Sequence, residues 1–137
     1  MFNLSKKTEY GVMALTYLSS IEKGTLASVG EISSAAAIPR EHLAKILSEL
    51  VKAGLAISQA GPAGGFRLAR PASAMSLADI LRALEKKAGL VDCTTGHDNC
   101  RLTDRCTIRM PMARVHRKVA RVLEETKLED LLTRHDV

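Results

Sequence analysis

The amino-acid sequence, 137 residues long, predicts a mostly α fold in which helices lie on both sides of a short β-hairpin. Apolar residues recur at helical spacing in three successive segments, and two short apolar runs then flank the turn-forming stretch "QAGPAGG". The order helix, helix, helix, hairpin is typical of a winged helix-turn-helix domain, in which the hairpin is the wing. We therefore expect a winged helix-turn-helix with a β-hairpin wing, followed by further helices.

Three helices are predicted before the hairpin. Thr8–Glu22 has an apolar stripe of helical period and is the first. Ser28 caps the second, which runs to about Ile38, and Glu31 completes a capping box three positions after the cap. Arg40–Ala53 follows a proline and is the third. The tight connection between the second and third predicts the helix-turn-helix.

The hairpin is predicted from two apolar runs, Leu55–Ser58 and Phe66–Ala69. Gly64 and Gly65 lie in the loop that joins them. Glycine accepts a positive φ and allows the minor groove of a duplex to come close, so both residues are candidates for a contact at the tip of the wing.

The second half of the chain is predicted to be helical. Ser76 caps a fourth helix, a long helix runs from about Thr107 to Glu125, and Leu128–Leu132 is a last short one. Apolar residues of the long helix are spaced 4, 3, 4, 3, at Ile108, Met112, Val115, Val119 and Val122. This spacing is typical of a helix that pairs with a second copy, while a helix facing its own core is the alternative. We expect a DNA-binding unit in residues 1–75 and a dimerisation unit in residues 76–137.

The composition and charge of the chain exclude some classes of protein and permit others. The net charge of +5 and pI near 9.3 permit nucleic-acid binding. No apolar run approaches the roughly 18 residues of a membrane span, and the N-terminus lacks the apolar region of a signal peptide, so we expect a cytoplasmic protein. The sequence has no phosphate-binding loop and no Ser, His and Asp pattern for hydrolysis. We therefore do not expect an enzyme.

The helix-turn-helix supplies candidate DNA contacts, because its second helix enters the major groove by its N-terminal end. Arg40 suits guanine or a phosphate, and Lys45 suits a phosphate. The candidate residues are Lys6, Lys7, Ser28, Arg40, Glu41, His42, Lys45, Gly64, Gly65 and Arg67. The alternatives are that these are ordinary solvated charges, or that the fold binds another protein instead of DNA.

The three cysteines of the chain, Cys93, Cys100 and Cys106, lie close together in sequence. They contain no C-x-x-C pair, so they do not fit a zinc ribbon or a thioredoxin motif. Loose spacing in a loop with bend-forming residues suits a polynuclear cluster. An iron–sulfur cluster, a zinc ion held by three cysteines and a histidine, and free redox-sensing thiols remain open. The fourth ligand would come from elsewhere, and His97 is nearest in sequence.

Four features together resemble the IscR/NsrR-type (Rrf-type) family of iron–sulfur winged-helix regulators. They are "LSKKTEYGVMAL" near the start, "GPAGGFRLARP" in the wing, "SLADILRALE" after it, and three cysteines before a long C-terminal helix. The resemblance covers nearly the whole chain. It implies a homodimer that acts on a double-stranded DNA operator to repress or activate transcription, with a 2Fe-2S or 4Fe-4S cluster controlling its DNA affinity. Of the two, we expect a repressor. The signal would be nitric oxide, redox state, or iron and cluster status.

The sequence departs from that family at several positions. Six residues separate the first two cysteines, where cluster-bearing relatives usually have five. Arg109 occupies the position of the histidine ligand of the IscR branch, and arginine cannot ligate iron. The NsrR branch implies instead a carboxylate lent by the partner subunit, and Glu9 matches that position, with His97 as its rival. Ala44 replaces a glutamate that is tied to base choice in the IscR branch.

Overall fold

The computed structural model describes residues 4–85 and 105–132. In these residues the helices are α1 (Lys6–Ser20), α2 (Val29–Ala36), α3 (Arg40–Lys52), α4 (Leu77–Leu84) and α5 (Arg109–Glu125), the strands are β1 (Ala56–Gln59) and β2 (Gly65–Leu68), and Ala72–Ala74 and Leu128–Leu131 are short 3-10 helices. The order of elements confirms the predicted winged helix-turn-helix and the long C-terminal helix. Among the described residues, no helix combines the length and the apolar character that a membrane crossing requires.

The turn between α2 and α3 is set by Ala37 and Pro39. Ala37 adopts a left-handed conformation, with φ of 55° and ψ of 43°, and its N–H donates to the carbonyl of Ser33. α2 therefore stops at Ala36, before this left-handed residue, and not near Ile38 as predicted. Pro39 in addition disfavours a helical conformation of Ile38. α3 begins directly after the proline, as the sequence predicts.

The hydrophobic core joins the helix-turn-helix to the elements that follow it. Its fully buried large side chains include Leu15, Ile32, Ile38, Leu43, Leu47, Leu50, Leu55, Met75, Ile80 and Leu128. Two backbone hydrogen bonds attach the end of α5 to the start of α4: Leu77 N–H donates to the Thr126 carbonyl at 2.8 Å, and Leu128 N–H donates to the Met75 carbonyl at 2.8 Å. One core therefore takes residues from both sides of position 75.

The wing is an antiparallel pair in which Ala56 faces Leu68 and Gln59 faces Gly65. β2 also bridges to Ala27, because Phe66 N–H donates to the Ala27 carbonyl at 2.8 Å and the Phe66 carbonyl accepts from Ala27 N–H at 3.0 Å. A β-carbon on Gly65 would lie 2.6 Å from the Ala27 oxygen. The close approach that this glycine permits is therefore to the chain's own backbone.

Gly65→Val should destabilise the protein by about 1–3 kcal/mol, because the added side chain forces Ala27 away from β2 and breaks the bridge. The free energy of unfolding by urea measures the change. Ala63→Val adds similar bulk at an exposed position of the wing and should cost less than about 0.5 kcal/mol. Equal losses for the two variants would contradict this account of Gly65.

α4 and α5 pack together and are joined by charged side chains. Ser76 and Asp79 form a capping box at the start of α4, and the backbone hydrogen bond from Ser76 is the main reason that the pKa of Asp79 is lowered. Arg82 contacts Asp79 at 3.2 Å and also pairs with Glu124 of α5. These contacts fix one side of α5 against the rest of the chain.

The opposite side of α5 is apolar and open. Ile108, Val115 and Val122 are exposed by 56%, 44% and 60%. Val115 and Val122 are seven positions apart and lie on one face of α5, and Ile108, the N-cap residue seven positions earlier, continues the row. Met112 and Val119, the other members of the predicted seam, are half-buried. Among the described residues, no element covers these three side chains.

Candidate DNA interface and cysteine segment

The face of α3 that points away from the core carries the predicted DNA contacts. Arg40, Glu41, His42, Ala44, Lys45 and Ser48 are exposed, whereas Leu43, Ile46, Leu47 and Leu50 are buried. The buried residues recur at helical spacing and hold α3 against α1. The polar N-terminal half of α3 is therefore free to enter a groove.

Arg40, the first residue of α3, lies against the start of α2. A β-carbon on Gly30 would be 2.7 Å from the Nη2 atom of Arg40. Both residues line a shallow open cleft with Ser28, Glu31 and Ser34. The cleft thus combines the guanidinium of Arg40 and the hydroxyls of Ser28 and Ser34 with the carboxylate of Glu31. The guanidinium and the hydroxyls are able to donate hydrogen bonds to a phosphate oxygen.

The two lysines at the start of α1 are both paired within the chain. Lys6 Nζ lies 3.0 Å from Glu9 Oε2, and the hydrogen bond and charge of Glu9 raise the pKa of Lys6. Lys7 Nζ lies 2.5 Å from Glu49 Oε2, an ion pair between α1 and α3. Glu49 offsets the charge of Lys7, whereas Lys6 is the more exposed of the two.

His42 connects α3 to α1. Its ring stacks on Tyr10, with centroids 6.5 Å apart and an interplanar angle of 27°. Lys6 Nζ lies 5.7 Å from the centroid of the same tyrosine, within the range of a cation–π contact. The position of an exposed residue of α3 therefore depends on the first turns of α1.

The wing carries one exposed basic residue near its tip. Arg67 on β2 faces Ile57 in the register of the hairpin and is exposed. Gly64 is held in the turn, since a β-carbon there would lie 2.0 Å from the Gln59 carbonyl oxygen. Residues 60–63 form the exposed tip. The two glycines shape the wing and Arg67 supplies its charge.

Of the predicted cluster ligands, only Cys106 and Glu9 belong to the described residues; Cys93, Cys100 and His97 lie outside them. Cys106 is half-buried, precedes α5, and forms no disulfide with a described residue. In the described part of the chain, no three His, Cys, Asp or Glu residues come together as a metal site. The ligand set remains a prediction.

The structure adds one polar contact that the sequence analysis did not single out. The Glu85 Oε1 atom accepts hydrogen bonds from Thr8 Oγ1 at 2.6 Å, from Ser5 Oγ at 2.7 Å and from Ser5 N at 3.2 Å. Ser5 is the N-cap of α1, and Thr8 is fully buried. These hydrogen bonds, with that from Thr8 the largest cause, lower the pKa of Glu85. The partners are far apart in sequence, so only the N-cap Ser5 leaves a local signal.

Comparison with known proteins agrees with this geometry. The sequence model of the Rrf2 family, described as iron-dependent transcriptional regulators, matches residues 4–134. CymR (YrzC), the global cysteine regulator of B. subtilis, is 27% identical over 96% of each chain, with a TM-score of 0.75. IscR of T. potens is 27% identical, covering 96% of this chain and 86% of that one, with a TM-score of 0.74. The oxidized form of S. aureus CymR is 25% identical over 99% of this chain and 100% of that one, with a TM-score of 0.75. The chain therefore belongs to the Rrf2 family, whose members are transcriptional regulators and not enzymes.

Proposed function

We propose that the protein is a cytoplasmic homodimer that binds operator DNA as a repressor, with an affinity controlled by an iron–sulfur cluster on its cysteines. The observation that carries the DNA-binding part is the exposed polar half of α3 beside a wing with an exposed Arg67. A helix-turn-helix places this end of its second helix in the major groove.

Within this proposal the candidate residues divide into three groups. Arg40 and Ser28, on the cleft at the start of α2, bind backbone phosphate, and Lys45 binds another. Glu41 and His42 are exposed on the first turn of α3 and face the base edges. Lys6, Lys7 and the wing, with Gly64, Gly65 and Arg67, flank the recognition helix.

Arg40→Ala should weaken binding to all duplex DNA alike and lower the slope of log K against log salt by about one, as expected for loss of one phosphate contact. Lys45→Ala should do the same. Both effects are measured by titration of an operator selected from random duplexes and of an unrelated duplex. Lys52→Ala, an exposed lysine at the far end of α3, is the control and should change neither value. Loss of operator binding alone would assign Arg40 to base recognition instead.

The homodimer is supported by the open row Ile108, Val115 and Val122 on α5. A soluble helix with large aliphatic side chains at heptad spacing gains stability when a second copy covers them. Two copies related by a two-fold axis would also match a palindromic operator.

The cluster is supported by the donor set. Three cysteines within one segment supply thiolates, and Cys106 is half-buried before α5, next to the exposed cation Arg105, which offsets negative charge. Bound there, the group would supply redox- and ligand-sensitive iron chemistry. Cys93, Cys100 and Cys106 would hold it, with the partner subunit's Glu9 as fourth ligand and His97 as the rival. A carboxylate is a weaker ligand for iron than a thiolate, so the iron atom that it binds would exchange this ligand most readily for a signal molecule.

Anaerobic reconstitution with iron and sulfide tests the cluster. The wild type should become coloured and contain iron and acid-labile sulfide, and Cys→Ala at each of the three positions should abolish or cripple the visible absorption. A colourless wild type that binds stoichiometric zinc would contradict the cluster and support the zinc site.

Mixed dimers test Glu9. One chain carries Glu9→Ala, and its partner carries Cys→Ala at all three positions. If the ligand crosses the dimer, the single remaining cysteine segment still has the partner's Glu9 and the wild-type resonance Raman spectrum is retained. If Glu9 acts within its own chain, that spectrum is altered. If His97→Ala alters the homodimer spectrum and Glu9→Ala does not, His97 is the ligand.

A cluster-free thiol switch is the second candidate, favoured by the similarity to an oxidized form of S. aureus CymR. In this case the thiols themselves would respond to oxidation. Operator affinity would then change on peroxide treatment of iron-free protein and recover with a reductant, whereas control by a cluster requires iron.

A further inference from the structure

Glu85 lies at the junction between the DNA-binding elements and the cysteines. It follows α4 directly, and Cys93 comes eight positions later in the chain. Its carboxylate is the acceptor for both hydroxyls at the start of α1, at 2.6 Å from Thr8 and 2.7 Å from Ser5. Glu85 itself, the last described residue before the cysteines in the chain, is therefore held to the first turn of α1.

The first two turns of α1 also contact α3, the second helix of the helix-turn-helix. Lys7 is paired with Glu49 of α3 at 2.5 Å, and Tyr10 stacks on His42 of α3. Glu85, the first turns of α1 and the exposed face of α3 thus form one continuous series of contacts within a single chain.

From this series we propose that Glu85 is a positioning residue for α3. A change in the cysteine segment, such as loss of the cluster, would alter the contacts of Glu85 and thereby the position of the exposed face of α3. The inference rests on the proposed function for its signal and deepens it by naming the connection. It concerns contacts within one chain, so it is independent of which residue is the fourth ligand.

Withdrawal of Glu85 has a defined physical consequence. The Thr8 side chain is fully buried, and its hydroxyl donates to this carboxylate at 2.6 Å. A buried donor without its acceptor is strongly unfavourable, so without Glu85 the Thr8 hydroxyl would turn to another oxygen such as Ser5 Oγ, 3.1 Å away, and the hydrogen bonds of the first turn of α1 would rearrange. Tyr10 and Lys7 move with that turn, and the contacts to His42 and Glu49 change in turn. Two alternative arrangements of one packed element are what coupling between distant sites requires.

The test compares Glu85→Ala with Glu85→Gln, which keeps an acceptor oxygen at the same distance along the side chain. Glu22→Gln, an exposed glutamate after the end of α1, is the control. For each full-length protein, the dissociation constant for the selected operator duplex is measured after anaerobic reconstitution with iron and sulfide, and again after iron is removed. Hydrogen exchange of residues 5–10 and 40–45 is measured on the same iron-free samples.

The informative quantity is the ratio of the dissociation constant of the iron-free protein to that of the reconstituted protein. A general loss of stability would not change this ratio. Glu85→Ala should reduce this ratio by roughly two- to thirtyfold relative to the wild type. Glu85→Gln should reduce it less, and Glu22→Gln should leave it unchanged. Exchange in Glu85→Ala should be faster in both segments, on α1 and on α3.

The outcomes separate the two proposals. If the wild-type affinity responds to iron and Glu85→Ala keeps the full ratio, the positioning role is overturned and the proposed function stands. If exchange is faster only in residues 5–10, the connection to α3 is overturned. A wild-type affinity that does not respond to iron overturns cluster control and the role of Glu85 together.

Discussion

Val122→Asp is expected to convert the homodimer into monomers and to weaken operator binding by about a hundredfold or more. Val122 is exposed by 60% in the single chain and belongs to the row that a second copy would cover. On pairing, an aspartate there would be buried near its symmetry mate without a partner of opposite charge. A dimer with two linked DNA-binding units binds its operator about 10²–10⁴-fold more tightly than a single unit does. A monomeric variant loses this gain in affinity.

Sedimentation at micromolar concentration measures the oligomeric state, and titration of the selected operator measures the affinity. Arg121→Asp is the matched control, because it adds the same side chain one position away, outside the apolar row. It should leave the dimer intact. A Val122→Asp protein that still sediments as a dimer would move the interface away from α5.

Leu47→Ala is expected to lower the free energy of unfolding by about 2–5 kcal/mol, the usual range for truncation of a buried leucine. Leu47 is fully buried on the inner face of α3, in the core shared with Leu15 of α1. The packed helices cannot collapse around the missing methyl groups without displacing α3, so part of the cost is a cavity.

Urea denaturation measures the loss, and Ser48→Ala is the control on the next, exposed position of the same helix. That substitution should change the free energy of unfolding by no more than about 0.5 kcal/mol. A small effect for Leu47→Ala would mean that the core of the helix-turn-helix is looser than the burial of this residue indicates.

The elements of the fold could be predicted because each one has a local signal. Helical spacing of apolar residues found α1, α3 and α5, and Ser76 located the start of α4. The end of α2 was placed too late because alanine is a good helix former, and the left-handed Ala37 that stops the helix leaves no signal of its own. The 3-10 helix Ala72–Ala74 is too short for any periodicity to reveal.

The polar contacts were less predictable, because they join residues far apart in the chain. Lys7 is predicted to contact DNA because it follows Lys6, and the sequence does not show that its side chain pairs with Glu49 of α3. Gly65 reads as a residue that approaches DNA, yet the neighbour that requires a glycine is Ala27. A sequence shows that a charge or a small residue is present, but the folded backbone decides what faces it.

The hydrogen bonds from Leu77 and Leu128 that hold the end of α5 to the start of α4 have a consequence for DNA. In the proposed homodimer, the distance between the two recognition helices is set by rigid packing and not by a flexible linker. Adding one base pair between operator half-sites would turn one half-site by about 35° relative to the other, because a helical turn of DNA takes 10–10.5 base pairs. The affinity of such a dimer would therefore depend on the number of base pairs between the two half-sites as well as on the bases within them.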